Sequence, residues 1–253
     1  MNNTSSLTKF LIIGIIIFVL IGTKNQLALI QRVKDTFKTV ESTLPTDNGG
    51  GESNSQVESE KVVFKPNKEN FDESRYSSHS QEVINYFKQV TMGREFDSQK
   101  NYIKRWNTDV KIYVKGETNS ELNSELNRIV SDLNDIIETI NFKVVSDPSQ
   151  ANMVVFFGSY TTFHNLNPDI SLNVLEGNWG LFSAGTNNAV LYVDTHRANT
   201  QEQKHLLREE LTQSLGLFND TYDYPNSIFY QGWTTTTEYS NIDRELIDML
   251  YNE

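Results

Sequence analysis

The sequence predicts an α/β domain built on a twisted mixed sheet, and three observations support this. Residues 109–115 alternate apolar and polar side chains, which is typical of a strand with one buried face. Residues 119–140 carry apolar side chains at three- and four-residue steps, which predicts a long amphipathic helix. Residues 153–157 are apolar throughout, which favours a central strand that is covered on both faces.

The other elements complete the order strand, helix, strand, strand, strand, helix. Residues 81–96 have the apolar spacing of a helix that precedes the sheet. Residues 142–145 and 189–193 are predicted strands, and turn-forming residues 186–188 precede the second.

The last helix of this series is predicted to begin at Thr200 and run to Leu215. Thr200 and Gln203 have the spacing of a capping box. Gly216 is predicted to end the helix, because a helix that turns directly into another segment usually needs a positive φ there.

The first 30 residues are predicted to be a membrane anchor. Residues 10–23 form an uncharged run of Ile, Leu, Phe and Val, which is shorter than the roughly 20 apolar residues that a spanning helix needs. A signal peptide is the alternative, but no small-x-small cleavage site follows the run. Residues 27–30 extend the apolar stretch, with Lys24 snorkelling to the interface, so we favour an uncleaved anchor.

Residues 31–80 are predicted to be a juxtamembrane helix and a flexible acidic linker, and residues 81–253 a folded domain. The linker is rich in Ser, Asn, Gly and acids, so it cannot bury enough apolar surface to order itself. Basic residues after the anchor leave the positive-inside rule ambiguous. We nevertheless expect a single-pass protein whose C-terminal domain is extracytoplasmic, since a lone N-terminal anchor usually exports the domain behind it.

Composition excludes several classes of function. The formal net charge of −11, without a basic stripe, argues against nucleic acid as a partner. The chain has no cysteine, which excludes a thiol nucleophile, a disulfide and a lipoprotein anchor. No serine lies in a G-x-S-x-G motif.

The most informative motif is the segment of residues 209–220, EELTQSLGLFND. It has the spacing of a zinc-peptidase helix, H-E-x-x-H-x-L-G-L-x-H-D, with every histidine replaced. Glu209, Gln213 and Asn219 stand at the three ligand positions, and Glu210 keeps the position of the catalytic glutamate.

Two further segments extend the similarity. Residues 227–230, SIFY, lie where metzincin-type peptidases have a tight turn, with Phe229 in place of its methionine. Residues 239–251 match the closing helix of those peptidases, where Ser240 and Asp243 form a capping box that favours a structural role for Asp243. The chain also resembles a bacterial domain family of unknown function, whose members carry E-E-x-x-Q-x-L-G-L-x-N-D followed by S-I-F. The resemblance covers roughly residues 100–253 and implies a zincin-like fold, with a backing helix and an active-site helix.

The residues at the ligand positions make a poor zinc site. Glu209 and Gln213 share one helix side, but one carboxylate with two amides suits a hard cation better than zinc. His205 lies four residues before Glu209, so a shifted site that includes it is an alternative, and a surface histidine is another. We expect no cofactor, with zinc or another divalent cation as the alternative.

Two functions remain open at this level. The first is a degenerate peptidase-like module that binds a peptide or an envelope partner without cleaving it. The second is an atypical metallopeptidase or hydrolase with Glu210 as general base, although a structural hydrogen bond could also explain this residue. Trp179 and Phe182 precede the predicted edge strand and are candidates to hold a peptide or a glycan, with core or lid packing as the alternative.

Overall fold

The computed structural model describes residues 68–92 and 102–253. The predicted anchor and residues 31–67 of the predicted linker lie outside these residues. Within them, no helix is both long and apolar enough to cross a bilayer. The elements, in chain order, are β1 (Lys68–Asn70), a 3₁₀ helix (Glu73–Tyr76), α1 (Gln81–Met92), β2 (Tyr102–Lys104), β3 (Val110–Gly116), α2 (Ser120–Ile136), β4 (Phe142–Val144), a 3₁₀ helix (Pro148–Gln150), β5 (Met153–Gly158), α3 (Tyr160–Leu166), α4 (Leu172–Gly177), β6 (Gly180–Ala184), β7 (Ala189–Asp194), α5 (Thr200–Gln213) and α6 (Asn241–Tyr251).

Five strands form a mixed sheet in the order β4-β3-β5-β7-β6. All neighbours are parallel except β6, which runs antiparallel to β7. Every residue of β5 is buried, since the strand pairs with β3 and β7 and is covered on both faces. The mixed α/β sheet and the central position of residues 153–157 are therefore confirmed. β1 and β2 form a separate antiparallel pair.

Helices cover both faces of the sheet. On one face, α2 and α5 pack on the larger hydrophobic core, to which α1 and α6 also contribute. Leu207, Leu211 and Leu215 lie in this core and are almost fully buried. On the other face, the short helices α3 and α4 cover a smaller core around Phe156, Phe163 and Tyr192.

Helix α5 begins at Thr200, as predicted, but its capping box differs from the prediction. Its N-cap is Asn199, whose side chain accepts hydrogen bonds from the backbone of Gln201 and Glu202. Glu202 completes the capping box by accepting from the Asn199 backbone, so Thr200 and Gln203 do not form it. The cause is that Asn is as strong a cap as Thr and lies one residue earlier. Gln203 instead donates to the Ala198 carbonyl.

The sequence reasoning also missed the strand that lies at the edge of the sheet. Residues 189–193, within β7, are internal, and β6 is the edge strand. Phe182 therefore lies within the edge strand, and Trp179 comes directly before it. The segment was missed because Gly, Ser and Ala are depleted in strands and weaken the alternating apolar pattern.

The end of α2 also differs from the prediction. The helix ends at Ile136 and not at Ile140, because Ile137 adopts an extended backbone.

The turn after α5 follows the prediction. Gly216 has φ 134°, and a Cβ there would lie 2.1 Å from the Lys104 carbonyl oxygen. Only glycine combines this backbone with such a close approach. The predicted positive φ is confirmed, and the turn directs the chain towards the end of α1.

Candidate functional site

Helix α5 presents three polar residues, two of them from the motif, at intervals of about one turn. His205, Glu209 and Gln213 are spaced four residues apart, and this spacing puts them on one side of the helix. His205 and Gln213 are buried, and the Glu209 side chain is 14% exposed. The polar side of α5 therefore faces other parts of the domain and not bulk water.

His205 is held between a backbone carbonyl and a carboxylate. Its Nδ1 lies 2.7 Å from the carbonyl oxygen of Thr236, and its Nε2 lies 3.3 Å from Oε2 of Glu209. Burial lowers the pKa of His205, but the hydrogen bonds and the charge of Glu209 outweigh burial and leave the pKa raised. The alternative of a surface histidine is wrong, because the segment that contains Thr236 covers this ring.

Glu210 lies on the side of α5 that faces the edge strand. A Cβ placed on Gly180 of β6 would lie 2.6 Å from Oε1 of Glu210. The residue is only 8% exposed. Burial raises its pKa well above the ordinary value, and the nearby carboxylates of Glu209 and Asp220 raise it further. Burial and the two neighbouring carboxyl groups thus shift Glu210 towards its protonated form.

The other two ligand positions are engaged in hydrogen bonds within the protein. The Gln213 side-chain amide donates to Oδ1 of Asp220. The Asn219 side chain donates to the carbonyl oxygen of Val90 over 2.9 Å, and its backbone N–H donates to the same oxygen. Asn219 therefore caps the end of α1, and Asp220 lies beside Gln213 instead.

These contacts do not fit a zinc ion. In an active zincin the three ligands converge on one point, whereas here Asn219 is directed at a backbone carbonyl of another helix. Gln213 directs its amide nitrogen, which is a donor, towards Asp220. Within residues 68–92 and 102–253, no three His, Cys, Asp or Glu side chains are arranged to hold a metal ion.

The turn below this site is fixed by a buried aspartate. Asp243 accepts hydrogen bonds from the Ser227 hydroxyl and from the backbone of Ile228 and Ser240. Tyr86 of α1 donates to the same Ser227 hydroxyl. The Ser240–Asp243 capping box is confirmed, and Phe229, at the position of the metzincin methionine, is fully buried.

Two aromatic pairs connect the edge strand to the chain that follows α5. Trp179 makes an edge-to-face contact with Trp233, with ring centroids 5.4 Å apart. Phe182 stacks on Phe218 at 6.2 Å. Gly180, and with it Glu210, lies between these pairs along the strand. Trp179 and Phe182 therefore adjoin the site in the structure, and both also serve packing.

Three residues of this arrangement, namely Gly180, Trp233 and Asp220, were not predicted to belong to the site. Gly180 belongs to no recognisable motif. A glycine within a strand can, however, indicate that another group approaches the backbone closely at that position. Trp233 is 64% exposed and lies in a polar segment, where an isolated tryptophan is a signal of a binding surface. Asp220 ends the motif, but its hydrogen bond with Gln213 was not predicted.

A family model matches residues 80–253 and describes a protein of unknown function, DUF2927. The chain belongs to this family. The predicted relationship to a domain family of unknown function is therefore confirmed at that level. No significant match is found among the curated proteins.

The DUF2927 domain is also weakly similar to solved structures of myroilysin. One has a TM-score of 0.38 at 13% identity, covering 57% of this chain and 80% of the other. A second has the same TM-score at 11% identity, covering 58% and 84%.

Proposed function

We propose that this DUF2927 protein is a membrane-tethered, extracytoplasmic module with a zincin-like fold, which binds a peptide segment of an envelope partner without cleaving it. The observation that carries the proposal is the use of the three ligand positions. Glu209 pairs with His205, Gln213 donates to Asp220, and Asn219 caps α1. These side chains stabilise the domain by contacts that a shared metal ion would have to break.

The state of Glu210 supports binding over peptidase chemistry. A zinc peptidase needs its glutamate ionised, so that it can take a proton from the metal-bound water. Here burial and two neighbouring carboxyl groups raise the pKa of Glu210, which disfavours the ionised form that this role requires. A neutral carboxylic acid donates a hydrogen bond well and is a poor base.

The edge strand supplies a surface on which an extended peptide can be aligned. The Asp194 N–H donates to the Trp179 carbonyl, and the Gly185 N–H donates to the Asn188 carbonyl. This register directs the backbone groups of Gly180 and Ala184 away from β7. A peptide that adds a strand beside β6 would gain main-chain hydrogen bonds and would pass over Glu210.

The tether rests on the sequence of the N-terminal region. The apolar run of residues 10–23 supports an anchor, and the acidic linker that follows would hold the domain at a variable distance from the membrane. Such tethering raises the local concentration of the module near partners in the same envelope.

A hydrolase remains the second candidate, and one specific observation favours it. A buried acid with a raised pKa beside other carboxyl groups is a common feature of catalytic sites. In that case Glu210 would deliver a proton as a general acid, because its raised pKa favours the protonated form, and the metal-dependent role of general base would not apply.

A random-sequence peptide library separates the two functions. The full-length chain in detergent is incubated with the library, and both retained peptides and cleavage products are identified by mass spectrometry. We expect retention without cleavage, and we expect Glu210→Gln to keep retention because the amide preserves shape. Cleavage by the parent chain that disappears in Glu210→Gln, while the variant melts no lower than the parent, would establish the hydrolase. If the chain neither retains nor cleaves any peptide of the library, both functions are refuted.

A further inference from the structure

The two edges of the mixed sheet are protected to different degrees. β4, at one edge, has three residues, and its exposed Lys143 lies opposite Lys111 of β3. Short strands and lysines are features that keep an edge from pairing with another segment. β6, at the other edge, has five residues, Gly-Leu-Phe-Ser-Ala, and none of them is charged. The edge at β6 therefore lacks this protection and is open to an added strand.

The outer side of β6 has the backbone groups that an added strand needs. The register with β7 directs the N–H and C=O groups of Gly180 and Ala184 to this outer side. Both residues are buried, and among the described residues no strand of the sheet lies beyond β6. Backbone groups at a buried position cost free energy when they are left unpaired, so a strand that pairs with them would stabilise the domain.

The chain carries a segment with strand-forming composition just before the described domain. Residues 61–65, KVVFK, contain two valines and a phenylalanine between two lysines. β-branched and aromatic residues favour strands, whereas the acidic stretch of residues 41–60 contains no aromatic residue and a single valine. Pro66 follows and would end a strand, because proline has no N–H to donate. This KVVFK segment is the candidate occupant of the open edge.

The fold brings the start of the described domain close to β6. Lys68 of β1 pairs with Lys104 of β2. The Lys104 ammonium lies 5.8 Å from the centre of the Phe218 ring, and this ring stacks on Phe182 of β6 at 6.2 Å. Two side-chain contacts thus connect the β1–β2 pair to the edge strand. The KVVFK segment begins seven residues before Lys68, so in an extended chain it reaches about 23 Å from that residue.

We propose that the KVVFK segment adds to the open edge of β6 as a further strand, and that a partner segment must displace it. The inference rests on the proposed function, because it makes the linker a regulator of the same peptide-binding edge. The occupant comes from the same chain because the short connection to Lys68 gives it a high effective concentration at β6. The observed affinity for a partner peptide is then the intrinsic affinity multiplied by the fraction of chains whose edge is open.

Hydrogen exchange of the full-length chain in detergent tests the docking. The variant combines Val63→Asp with Phe64→Asp, which places a charge on each face of the docked strand. The control combines Val57→Asp with Ser59→Asp, which adds the same two charges earlier in the linker. All four positions lie outside residues 68–92 and 102–253, so none of the contacts described within the domain is altered.

We expect the variant to lose protection at the outer side of β6. The amide protons of Gly180 and Ala184 should exchange about fivefold faster or more than in the parent, and at the parental rate in the control. The variant should also bind retained library peptides about fivefold more tightly or better, because its edge is always open. The control should bind them as the parent does.

The outcomes separate this inference from the function on which it rests. Equal exchange rates in parent and variant, or faster exchange in the control as well, would overturn the inference. Protection that rises with protein concentration would also overturn it, because the occupant would be a second copy of the chain. Faster exchange in the variant alone, without any retained peptide, would support the docking and refute the peptide-binding function.

Discussion

The carboxyl group of Glu210 lies directly against the backbone of Gly180, in a space where any side chain on Gly180 would have to stand. A Cβ there would lie 2.6 Å from Oε1 and 3.1 Å from Cγ of Glu210, and 2.9 Å from Cδ2 of Leu206. The absence of a side chain on Gly180 is therefore what allows the Glu210 carboxyl group to pack against the edge strand. This contact buries the acid and places it under the strand on which a peptide would be aligned.

The first prediction concerns this contact. Gly180→Ala should destabilise the domain by about 1–3 kcal/mol, because overpacking forces Glu210 and Leu206 to move. It should also weaken peptide retention, since the acid would leave its position. Chemical denaturation and the library experiment measure both effects. Gly177→Ala is the matched control, because Gly177 lies at the end of α4 with an ordinary negative φ. Equal free energies of unfolding for Gly180→Ala and Gly177→Ala would show that the contact between Gly180 and Glu210 can accommodate a methyl group.

The second prediction concerns the pH dependence of stability. A carboxyl group whose pKa is raised by folding contributes stability that is fully present below its ordinary value of 4.5 and is lost as the pH rises through the raised value. Glu210→Gln removes this loss, so the variant should melt at a higher temperature than the parent at neutral and alkaline pH. The gain should amount to a few degrees, at about 2–4 °C per kcal/mol for a domain of this size.

The same series of melting curves contains its control. Near pH 4 the parent and Glu210→Gln should melt at similar temperatures, because Glu210 is then protonated in both the folded and unfolded chain. Glu138→Gln, at an exposed site, should show no comparable trend with pH. A Glu210→Gln variant that is less stable than the parent at neutral pH would contradict the assignment of a buried, destabilising acid.

The third prediction concerns the turn after α5. Gly216→Val should cost more than about 2 kcal/mol, because the residue has φ 134° and a Cβ would collide with the Lys104 carbonyl. Thermal or denaturant unfolding measures the loss. An unchanged melting temperature would show that the backbone can relax at this turn.

The fourth prediction concerns Asp243. Asp243→Ala should cost about 3 kcal/mol, since it leaves two backbone N–H groups and the Ser227 hydroxyl without their buried acceptor. Asp135→Ala, at an exposed position on α2, should change the free energy of unfolding by less than about 0.5 kcal/mol. Similar losses for the two variants would mean that the turn at residues 227–229 is held by other contacts.

The sequence predicted the parts of the fold that strong local patterns determine. The apolar run in β5, the periodic helix α2 and the capping box at Ser240 all depend on residues close to each other in the chain. The short edge strand β6 was missed because its pairing with β7 is a tertiary effect that its Gly, Ser and Ala residues hardly signal.

The site was predictable in composition but not in geometry. The motif identified Glu209, Glu210 and Gln213 as residues of one helix, and helical spacing fixed their relationship. The direction of Asn219 could not be read from the motif, because it depends on where α1 ends in space. The burial of His205 was missed for the same kind of reason, since a segment about 30 residues later covers it.

The zinc content of the purified protein tests the central claim most directly, namely that the three ligand positions no longer form a metal site. The full-length chain is purified without a metal-affinity tag, dialysed, and measured by elemental analysis. We predict far less than one zinc per chain, because Glu209, Gln213 and Asn219 each bind a different group of the protein. Stoichiometric zinc that survives dialysis and is lost in Glu209→Ala would contradict this account.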